Sequence, residues 1–529
     1  MRAMSAPHPR TFAPALFVPL VLISVAGAVV GVQLLTSLGI TPNTSLIGAL
    51  VAMLIGRVPL PGLRAFRSVH VQNLAQSAMS AATFGAANSL LLPIGVPYLL
   101  GRADLVPPML AGVAAAMFLD AFLLYRLFGS RVFPADGAWP PGLAAAEAIR
   151  AADAGGQQGR MLAGSIAGGA VGAWLGLPMA AFGTAFIGNA WALSMFGAGL
   201  LAAGYSEALA DLSLTAHHVP HGMMIGAGLV ALGQVAAGAR AQDRAGRRAV
   251  THPAAEAGLR GTLARGAAGY VVIAGAIALA GGLATSLSPG LLVAFVLYAA
   301  AAAFAHELIV GLAAMHSGWF PAFAVALITL LVGMLFGFPP AALALLTGFS
   351  VATGPAFADM GYDLKAGYVL RGAGADPAFE LEGMRQQFLA ATVAFATALV
   401  VVGLTWQGYF ARDLVPPVAR VYAATIDAGV APGVAQGLIL WAIPGALLQW
   451  AGGPRRQLGV LLATGLLVAN PVAGWGVLAG LAVRLGWTRV LGRPAGRLDA
   501  MAAGFIAGDA LFSFGDSVVK QLRVPGPGR

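Results

Sequence analysis

The sequence predicts an all-α, polytopic membrane protein. Of its 529 residues, 59% are hydrophobic and only 9% are charged, and long apolar runs alternate with short charged breaks. Soluble domains carry roughly a quarter charged residues, so a soluble chain of this length could not cover its surface with so few. A membrane-spanning helix needs about 20 mostly apolar residues, and runs near that length recur along the whole chain.

Apolar runs along the sequence predict about 14–16 transmembrane or re-entrant helices. Segment 89–101 is apolar but contains two prolines and a glycine, which predicts a broken or re-entrant segment. The candidate spans are 12–36, 43–59, 71–92, 106–127, 161–177, 183–204, 219–238, 268–286, 290–312, 319–337, 340–357, 386–405, 432–450, 457–470, 472–487 and 498–515.

The formal charge of +10 comes mainly from arginines gathered in the breaks between apolar runs, at 57–67, 240–265 and 489–497. Such clusters are typical of cytoplasmic loops. They indicate a lipid bilayer, and no nucleic acid, as the partner. Charge bias also places 363–385 on the cytoplasmic side. The basic segments at 57–67 and 240–265 are both predicted to be cytoplasmic, which requires an even number of crossings between them. The candidate spans between residues 67 and 240 are odd in number, so the topology stays open. Richness in Arg, Ala and Gly is typical of a GC-rich bacterial genome.

Several kinds of site are not expected. The chain has no cysteine, which excludes thiol catalysis and Cys-ligated metals. Neither lysine lies in a nucleotide-binding GxxxxGK[ST] context, so no ATP-driven motor is expected. His217, His218 and His221 have Pro220 among them, which favours an interfacial loop over a metal site. We expect no metal and no cofactor. The 72 glycines, many at small-xxx-small spacing, predict close helix packing.

Two weak internal similarities raise the hypothesis that the chain consists of duplicated halves, 1–265 and 266–529. A basic cytoplasmic loop at 239–266 would join them. Segment 145–168 resembles 364–395, and 223–234 resembles 501–512. Duplicated halves are common in transporters. In sequence this rich in Ala and Gly, chance matching is an equal alternative.

Charged side chains inside apolar runs are candidates for proton coupling, because a charge at mid-bilayer costs about 2.5–3.5 kcal/mol on insertion scales. The candidates are Asp120, His306, Glu307 and Asp509. Burial favours the neutral form of a carboxyl, which suits a group that gains and loses a proton. The alternative is permanent pairing with a cation that locks two helices together. For Asp120 the nearby Arg126 favours this alternative.

Two asparagines in apolar contexts are candidates for substrate binding. Asn189 and Asn470 both lie between apolar runs. The segment 468–476 predicts a helix break, where free carbonyls can line a cavity. A hairpin turn between two short spans is an equal alternative.

The charged stretch "DMGYDLKAGYVLRG" at 359–372 lies between two apolar blocks. The residues of this stretch alone favour its interpretation as a solvated cytoplasmic connector. However, "DLKAGYVLRGA" followed by "MRQQFLA" resembles the signature of the oligopeptide transporter family, which includes the yellow-stripe metal-chelate carriers. That signature runs Asp-Leu-Lys-Thr-Gly-Tyr-Leu-(Leu/Val)-Gly-Ala-x-Pro, then a basic pair and Gln. The matching residues are Asp363, Leu364, Lys365, Gly367, Tyr368, Arg385 and Gln386.

Two further segments resemble the same family. Segment 132–153 resembles its Phe-Pro-x-Gly-x-Ala-x-Ala-Glu segment, with Glu147 at the acidic position, and 499–512 resembles its terminal helix, with Asp509 where an acid is usual. The insertion at 375–383, Ala366 in place of threonine and the absence of the Asn-Pro-Gly motif place the chain in a divergent prokaryotic branch.

The resemblance implies a secondary transporter that takes up small peptides or metal–ligand chelates with protons across the inner membrane. It also implies substrate or gating roles for Asp363, Lys365, Gly367, Tyr368, Arg371 and Glu147. The alternatives are a membrane-embedded enzyme acting on a lipid-linked substrate and a permease subunit driven by a separate ATPase. Acids scattered singly among apolar runs favour a transporter over an enzyme. Homo-oligomerisation stays open.

Overall fold

The structure is a computed structural model that describes residues 7–38, 45–58, 61–154, 156–241, 258–318, 321–429, 433–492 and 496–523. These ranges are helical almost throughout. They contain no β-strand, only an isolated bridge between Phe128 and Phe133. The predicted all-α class is therefore confirmed.

The α-helices of the described ranges are numbered here in chain order. They are α1 (Pro14–Leu38), α2 (Ser45–Arg57), α3 (Val69–Phe84), α4 (Leu92–Leu99), α5 (Val106–Leu127), α6 (Pro140–Ala154), α7 (Gly156–Trp174), α8 (Met179–Ile187), α9 (Ala190–Ala210), α10 (Val219–Ala241), α11 (Leu259–Ala280), α12 (Leu283–Ser286), α13 (Pro289–Ser317), α14 (Ala322–Leu335), α15 (Pro340–Ala352), α16 (Pro355–Leu370), α17 (Pro377–Phe410), α18 (Pro417–Ala428), α19 (Val434–Arg456), α20 (Leu458–Val468), α21 (Pro471–Leu485) and α22 (Gly496–Arg523).

Eight helical stretches in the described ranges are long and apolar enough to cross a membrane. They are Pro14–Thr36, Val69–Leu99, Ala103–Leu127, Leu259–Ala280, Pro289–Ser317, Pro340–Leu370, Pro377–Phe410 and Val434–Arg456. Large apolar side chains lie exposed on the outer helices, such as Val272, Leu404 and Trp450. Such a surface suits lipid rather than water. The chain is therefore a polytopic membrane protein, and the count of 14–16 crossings stays a prediction.

Two of these stretches form the centre of the molecule. Val69–Leu99 and Pro340–Leu370 are each 94% buried inside the protein, whereas Leu259–Ala280 and Pro377–Phe410 are each 33% buried and so lie at the periphery. Helix α16 packs against α3, α5, α6, α13 and α17. The polar segments of α3 and α16, each within a largely apolar helical stretch, therefore face one another at the centre.

A second group of helices pairs the end of the first predicted half with the end of the second. Helices α7–α10 pack against α19–α22, with α10 on α19 and α7 on α22 among the pairs. The approach is close enough to require glycine: a Cβ on Gly226 would lie 1.8 Å from the Ala442 oxygen, and one on Gly465 2.2 Å from the Phe196 oxygen. The small-residue packing prediction is confirmed, while duplication itself stays a prediction.

Segment 89–101 is less interrupted than the sequence predicts. A π-helical turn at Gly85–Leu91 joins α3 to α4, so Val69–Leu99 is one continuous helical stretch. Because Pro93 has no N–H to donate, the hydrogen-bond ladder must shift before it, and a wider turn absorbs that shift. The helix ends near Gly101, whose φ of +71° suits glycine.

Both ends of the basic loop predicted at 239–266 are helical in the structure. Helix α10 extends to Ala241 and α11 begins at Leu259, so Arg260 and Arg265 are helical. Leu259 and Thr262 are buried, which explains why the helix starts before the apolar run. Residues 242–257 of the predicted loop lie outside the described residues.

Candidate functional site

Two buried acids and a tyrosine from three helices form the first cluster. Asp120 of α5, Tyr270 of α11 and Glu307 of α13 are each no more than 1% exposed. The Tyr270 hydroxyl donates to Asp120 Oδ1 and also lies beside Glu307. We call Asp120, Tyr270 and Glu307 the acid–tyrosine cluster.

The two carboxyls of this cluster have different surroundings. Asp120 accepts from Tyr270 and, through Oδ2, from the Gly354 N–H at 2.8 Å, at the start of α16. Gly354 has φ +97°, a conformation that favours glycine, and it separates α15 from α16. Both oxygens of Glu307 are buried, and neither has a hydrogen-bond partner of good geometry in the described ranges, although the Tyr270 hydroxyl lies beside them. Asp120 is thus anchored, whereas Glu307 is not.

The pairing of Asp120 with Arg126 that the sequence favoured is wrong. Six residues along a helix place the two side chains on different faces, since neighbours on one face lie three or four apart. The Asp120 carboxyl instead finds its donors on α11 and before α16.

His306 precedes Glu307 and points elsewhere. Its Nδ1 lies 3.2 Å from Ser350 Oγ, which in turn donates to Thr329 Oγ1 at 3.0 Å. Its Nε2 has no hydrogen-bond partner. Successive residues of a helix face different directions, so the structure places His306 next to α14 and α15 and outside the acid–tyrosine cluster.

The charged stretch at 359–372 is not a solvated connector. Residues up to Leu370 belong to α16, within the span Pro340–Leu370, and Asp359, Asp363 and Lys365 are buried. The prediction of a solvated connector at 359–372 was wrong because polar partners on α3 hydrogen-bond to its carboxyls inside the protein. The cytoplasmic placement of 363–385 stays a prediction.

Asp359 and Asp363 face a polar stripe on α3. Gln76 Nε2 donates to Asp363 Oδ1 at 2.5 Å, and the Ser80 hydroxyl donates to Asp359 Oδ1. Spacings of four on both helices place each pair on one face. Asn73, three residues before Gln76, lies on the same face of α3. We call Asn73, Gln76, Ser80, Asp359 and Asp363 the α3–α16 cluster.

An ion pair joins the end of α16 to the start of α17. The Arg371 guanidinium binds Glu380 through two N–H···O bonds of 2.7 and 3.0 Å, and both side chains are fully buried. Arg371 also donates to Gln387 Oε1 at 2.7 Å, and Gln387 donates to the Asp363 carbonyl at 2.6 Å. Arg371 is therefore fixed by protein groups.

The remaining residues of the family signature are also engaged within the protein. Lys365 Nζ donates to the Ala135 carbonyl at 3.0 Å and lies 5.6 Å from the centre of the Tyr368 ring. Gly367 lies where a Cβ would be 2.0 Å from Gln387 Oε1. Glu147 is partly exposed and pairs with Arg150 at 3.2 Å. Arg150 donates to the Val369 carbonyl, which links α6 to α16.

Three predicted residues lie at helix N-termini away from these clusters. Asp509 Oδ2 accepts from the Ala180 N–H at 2.6 Å at the start of α8. Asn189 accepts from Trp191 and Ala192 N–H groups and caps α9, and Asn470 accepts from the Ala473 N–H and caps α21. The break predicted near Asn470 is present, since α20 ends at Val468. All three satisfy N–H groups that a helix leaves unpaired.

The three histidines near α10 have different surroundings. His217 is exposed before the helix, whereas His221 is buried within it, so the loop prediction is wrong for His221. The rings of His218 and His221 are 6.1 Å apart. Across the described ranges no group of three or more His, Asp or Glu side chains is placed to hold a metal ion.

Sequence reasoning missed Tyr270, Gln76, Ser80, Glu380 and Gln387. The α3 sequence "VHVQNLAQSAMSAATF" did carry a signal, because Gln72, Gln76 and Ser80 recur every four residues in an otherwise small or apolar helix. Tyr270 had no such signal: its partners lie 150 residues before and 37 after it, and only the fold brings them together.

A comparison with protein-family models adds an independent finding. The model described as OPT oligopeptide transporter protein matches residues 16–239 and 263–519. The chain belongs to the oligopeptide transporter family. The match includes every residue of the acid–tyrosine and α3–α16 clusters. No curated protein matches the chain at a significant level.

Family membership confirms the resemblance seen in the signature residues. The chain is a multi-pass membrane transporter of a family named for oligopeptides. Membership in a family of transporters agrees with the prediction that the protein is not an enzyme.

Proposed function

We propose that this transporter takes up small peptides or metal–ligand chelates across the bacterial inner membrane, driven by protons that enter with the substrate. The observation that carries the proposal is Glu307, a fully buried carboxyl whose two oxygens have no hydrogen-bond partner of good geometry in the described ranges. An ionisable group inside a membrane span is a functional candidate because its burial is costly.

The two acids of the acid–tyrosine cluster have separate roles. Asp120 receives two hydrogen bonds, which stabilise its ionised form. Tyr270 has one hydroxyl proton, and that proton goes to Asp120. Glu307 is buried without a hydrogen-bond donor in the described ranges, which favours its protonated form, and in this proposal it releases the proton when a conformational change brings water to it. Asp120 and Tyr270 position Glu307.

The family signature supplies the gating elements. The Arg371–Glu380 pair fixes the end of α16 to α17, and Lys365 with Tyr368 fixes α16 near Ala135. Because Arg371 already binds Glu380, gating is a better-supported role for it than neutralising a substrate carboxylate. The assignment to a divergent prokaryotic branch related to the yellow-stripe carriers is part of this proposal.

The energy available to one proton is sufficient for accumulation. One charge that crosses the membrane is coupled to about 2.3 kcal/mol per 100 mV. One protonatable carboxyl per cycle therefore supports uptake of a neutral substrate against a gradient. Glu307 of the acid–tyrosine cluster is that carboxyl in this proposal.

Gradient-driven uptake tests this proposal. Purified protein in liposomes would be given an inward proton gradient and a mixture of labelled short peptides or iron and nickel chelates. We expect uptake that collapses with a protonophore and that Glu307→Gln abolishes. Asp509→Asn is the matched control, since Asp509 is a partly buried acid of α22 whose carboxyl accepts a hydrogen bond at the start of α8.

Two results would refute the coupling mechanism. One is uptake by the wild-type protein that ignores the gradient. The other is gradient-driven uptake by Glu307→Gln at the wild-type rate. ATP-dependent activity of a copurifying ATPase would instead favour the permease alternative.

A further inference from the structure

The α3–α16 cluster contains more buried oxygen acceptors than donors. Four buried oxygens of the cluster have no hydrogen-bond partner within the described ranges: Asp359 Oδ2, Asp363 Oδ2, Gln76 Oε1 and Asn73 Oδ1. None of these four residues is more than 1% exposed. Buried polar atoms are nearly always paired in proteins, so four unpaired oxygens in one cluster indicate a missing partner.

The Gln76 and Ser80 donors of the cluster are already used on the other oxygens. Gln76 Nε2 donates to Asp363 Oδ1, and Ser80 donates to Asp359 Oδ1. Gln387, from α17, donates to Ser77 Oγ and to the Asp363 carbonyl. These bonds fix both carboxyls in place. The second oxygen of each carboxyl has no hydrogen-bond partner in the described ranges, and the Ser77 hydroxyl lies beside Asp363.

Among the described residues, no cation forms an ion pair with either carboxyl, that of Asp359 or that of Asp363. The buried basic groups nearest in sequence have other contacts: Arg371 binds Glu380, and Lys365 donates to the Ala135 carbonyl. Two buried like charges four residues apart on one helix are unfavourable without a positive partner.

We propose that the α3–α16 cluster is a binding site for a hard cation, an alkali or alkaline-earth ion. Such ions take carboxylate, amide and hydroxyl oxygens as ligands. Asp359 and Asp363 supply the charge, and Gln76, Asn73 and Ser80 supply neutral oxygens. Soft metals lack their preferred ligands here, because the cluster contains no histidine and the chain no cysteine. The site is separate from Glu307 and does not depend on proton coupling.

Cation-dependent stabilisation of the purified full chain in detergent tests the proposal. Its melting temperature would be measured at constant ionic strength, with choline chloride replaced stepwise by NaCl, KCl, MgCl₂ or CaCl₂. We expect a saturable upward shift with one of these cations and its loss in Asp359→Asn and Asp363→Asn. A ligand that binds only the folded state stabilises it in this concentration-dependent way.

Three further variants make the test specific. Asp413→Asn removes an exposed carboxylate paired with Arg420, and Glu307→Gln removes a buried acid outside the cluster; both should keep the shift. Ser80→Ala is the mild variant in case the aspartate variants do not fold. It should raise the concentration for half-maximal shift several-fold.

Three results would overturn the proposal. The first is no shift with any of the four cations, and the second is an undiminished shift in Asp359→Asn and Asp363→Asn. The third is a shift that depends on the same two aspartates but is produced by acidification in the absence of the four cations. The last would mean that the carboxyls share a proton. Since the assay needs neither substrate nor gradient, its failure leaves the proposed uptake function untouched.

Discussion

At the residue scale, Tyr270 joins the helices of the acid–tyrosine cluster. It lies on α11, donates to Asp120 on α5 and is beside Glu307 on α13. Asp120 in turn accepts from Gly354 at the start of α16. A single phenol thus connects the anchored acid to the unanchored one, and its loss leaves a buried carboxylate oxygen without a donor.

Tyr270→Phe should destabilise the protein without a change in packing. The ring remains, and one buried acceptor loses its hydrogen bond, which costs about 1–3 kcal/mol. The measurement is thermal unfolding in detergent. Tyr298→Phe is the matched control, because its hydroxyl donates to a neutral carbonyl, Thr329 O, at 3.0 Å, so its loss should cost less. Equal melting temperatures for Tyr270→Phe and the wild type would contradict the role of Tyr270.

Gly367→Ala should weaken the Arg371 network. An added Cβ would lie 2.0 Å from Gln387 Oε1 and 2.2 Å from the Arg371 guanidinium, so the network must shift. Overpacking of this kind costs about 1–3 kcal/mol. Gly275→Ala on α11 is the control, since nothing lies within 4 Å of its added Cβ and alanine favours a helix. A melting temperature that falls no further in Gly367→Ala than in Gly275→Ala would contradict the close contact.

The sequence could identify buried acids but not their partners. Asp120 and Glu307 stand out because each interrupts an apolar run, and the structure buries both. The sequence favoured Arg126 for Asp120 on proximity alone. Helical geometry separates those two residues, and the actual donors lie 150 and 234 residues away. Distant contacts of this kind follow from the fold and not from local pattern.

At the element scale, the segment before α1 is attached to the start of α17. The Thr11 N–H donates to Gln386 Oε1 at 2.7 Å and its hydroxyl to the Gln386 carbonyl at 2.8 Å. His8 is buried against His70 and Phe379, with ring centres 5.4 and 5.2 Å away. Burial, aided by Arg371 and His70 and opposed by Glu382, lowers the pKa of His8 to about 4.

This attachment should weaken on acidification. A detached His8 titrates at its ordinary pKa of 6.5 and the buried one at about 4, so protonation favours the detached form. The stability that His8 contributes is complete above pH 6.5 and falls as the pH drops from 6.5 towards 4. A bimane fluorophore on Phe12→Cys, specific because the chain has no cysteine, reports detachment. In a His8→Gln background the pH response should disappear; a response that persists would contradict the assignment.

The helices themselves were largely predictable, and their breaks less so. Apolar runs locate α5, α13 and α17 to within several residues. Yet the sequence places a connector at 359–372, where the structure has the buried helix α16. Charged residues were interpreted there as solvated because their partners, the amides and hydroxyls of α3, lie almost 290 residues earlier.

At the scale of the whole molecule, two central helical stretches are enclosed by more apolar ones. Val69–Leu99 and Pro340–Leu370 carry the polar groups, while the outer helices present apolar side chains. Composition alone predicts a membrane protein with functional groups inside it. It does not predict which helices are central, because Ala- and Gly-rich helices pack in many ways.

Comparison of substrate exchange with substrate accumulation tests most directly whether Glu307 couples protons to transport. Liposomes with Glu307→Gln protein would be assayed for exchange between equal substrate pools without a gradient, and for accumulation driven by an inward proton gradient. We predict that the variant retains exchange and loses accumulation, because a permanently neutral side chain allows the carrier to reorient but cannot release a proton. Accumulation at the wild-type level by Glu307→Gln would contradict the account.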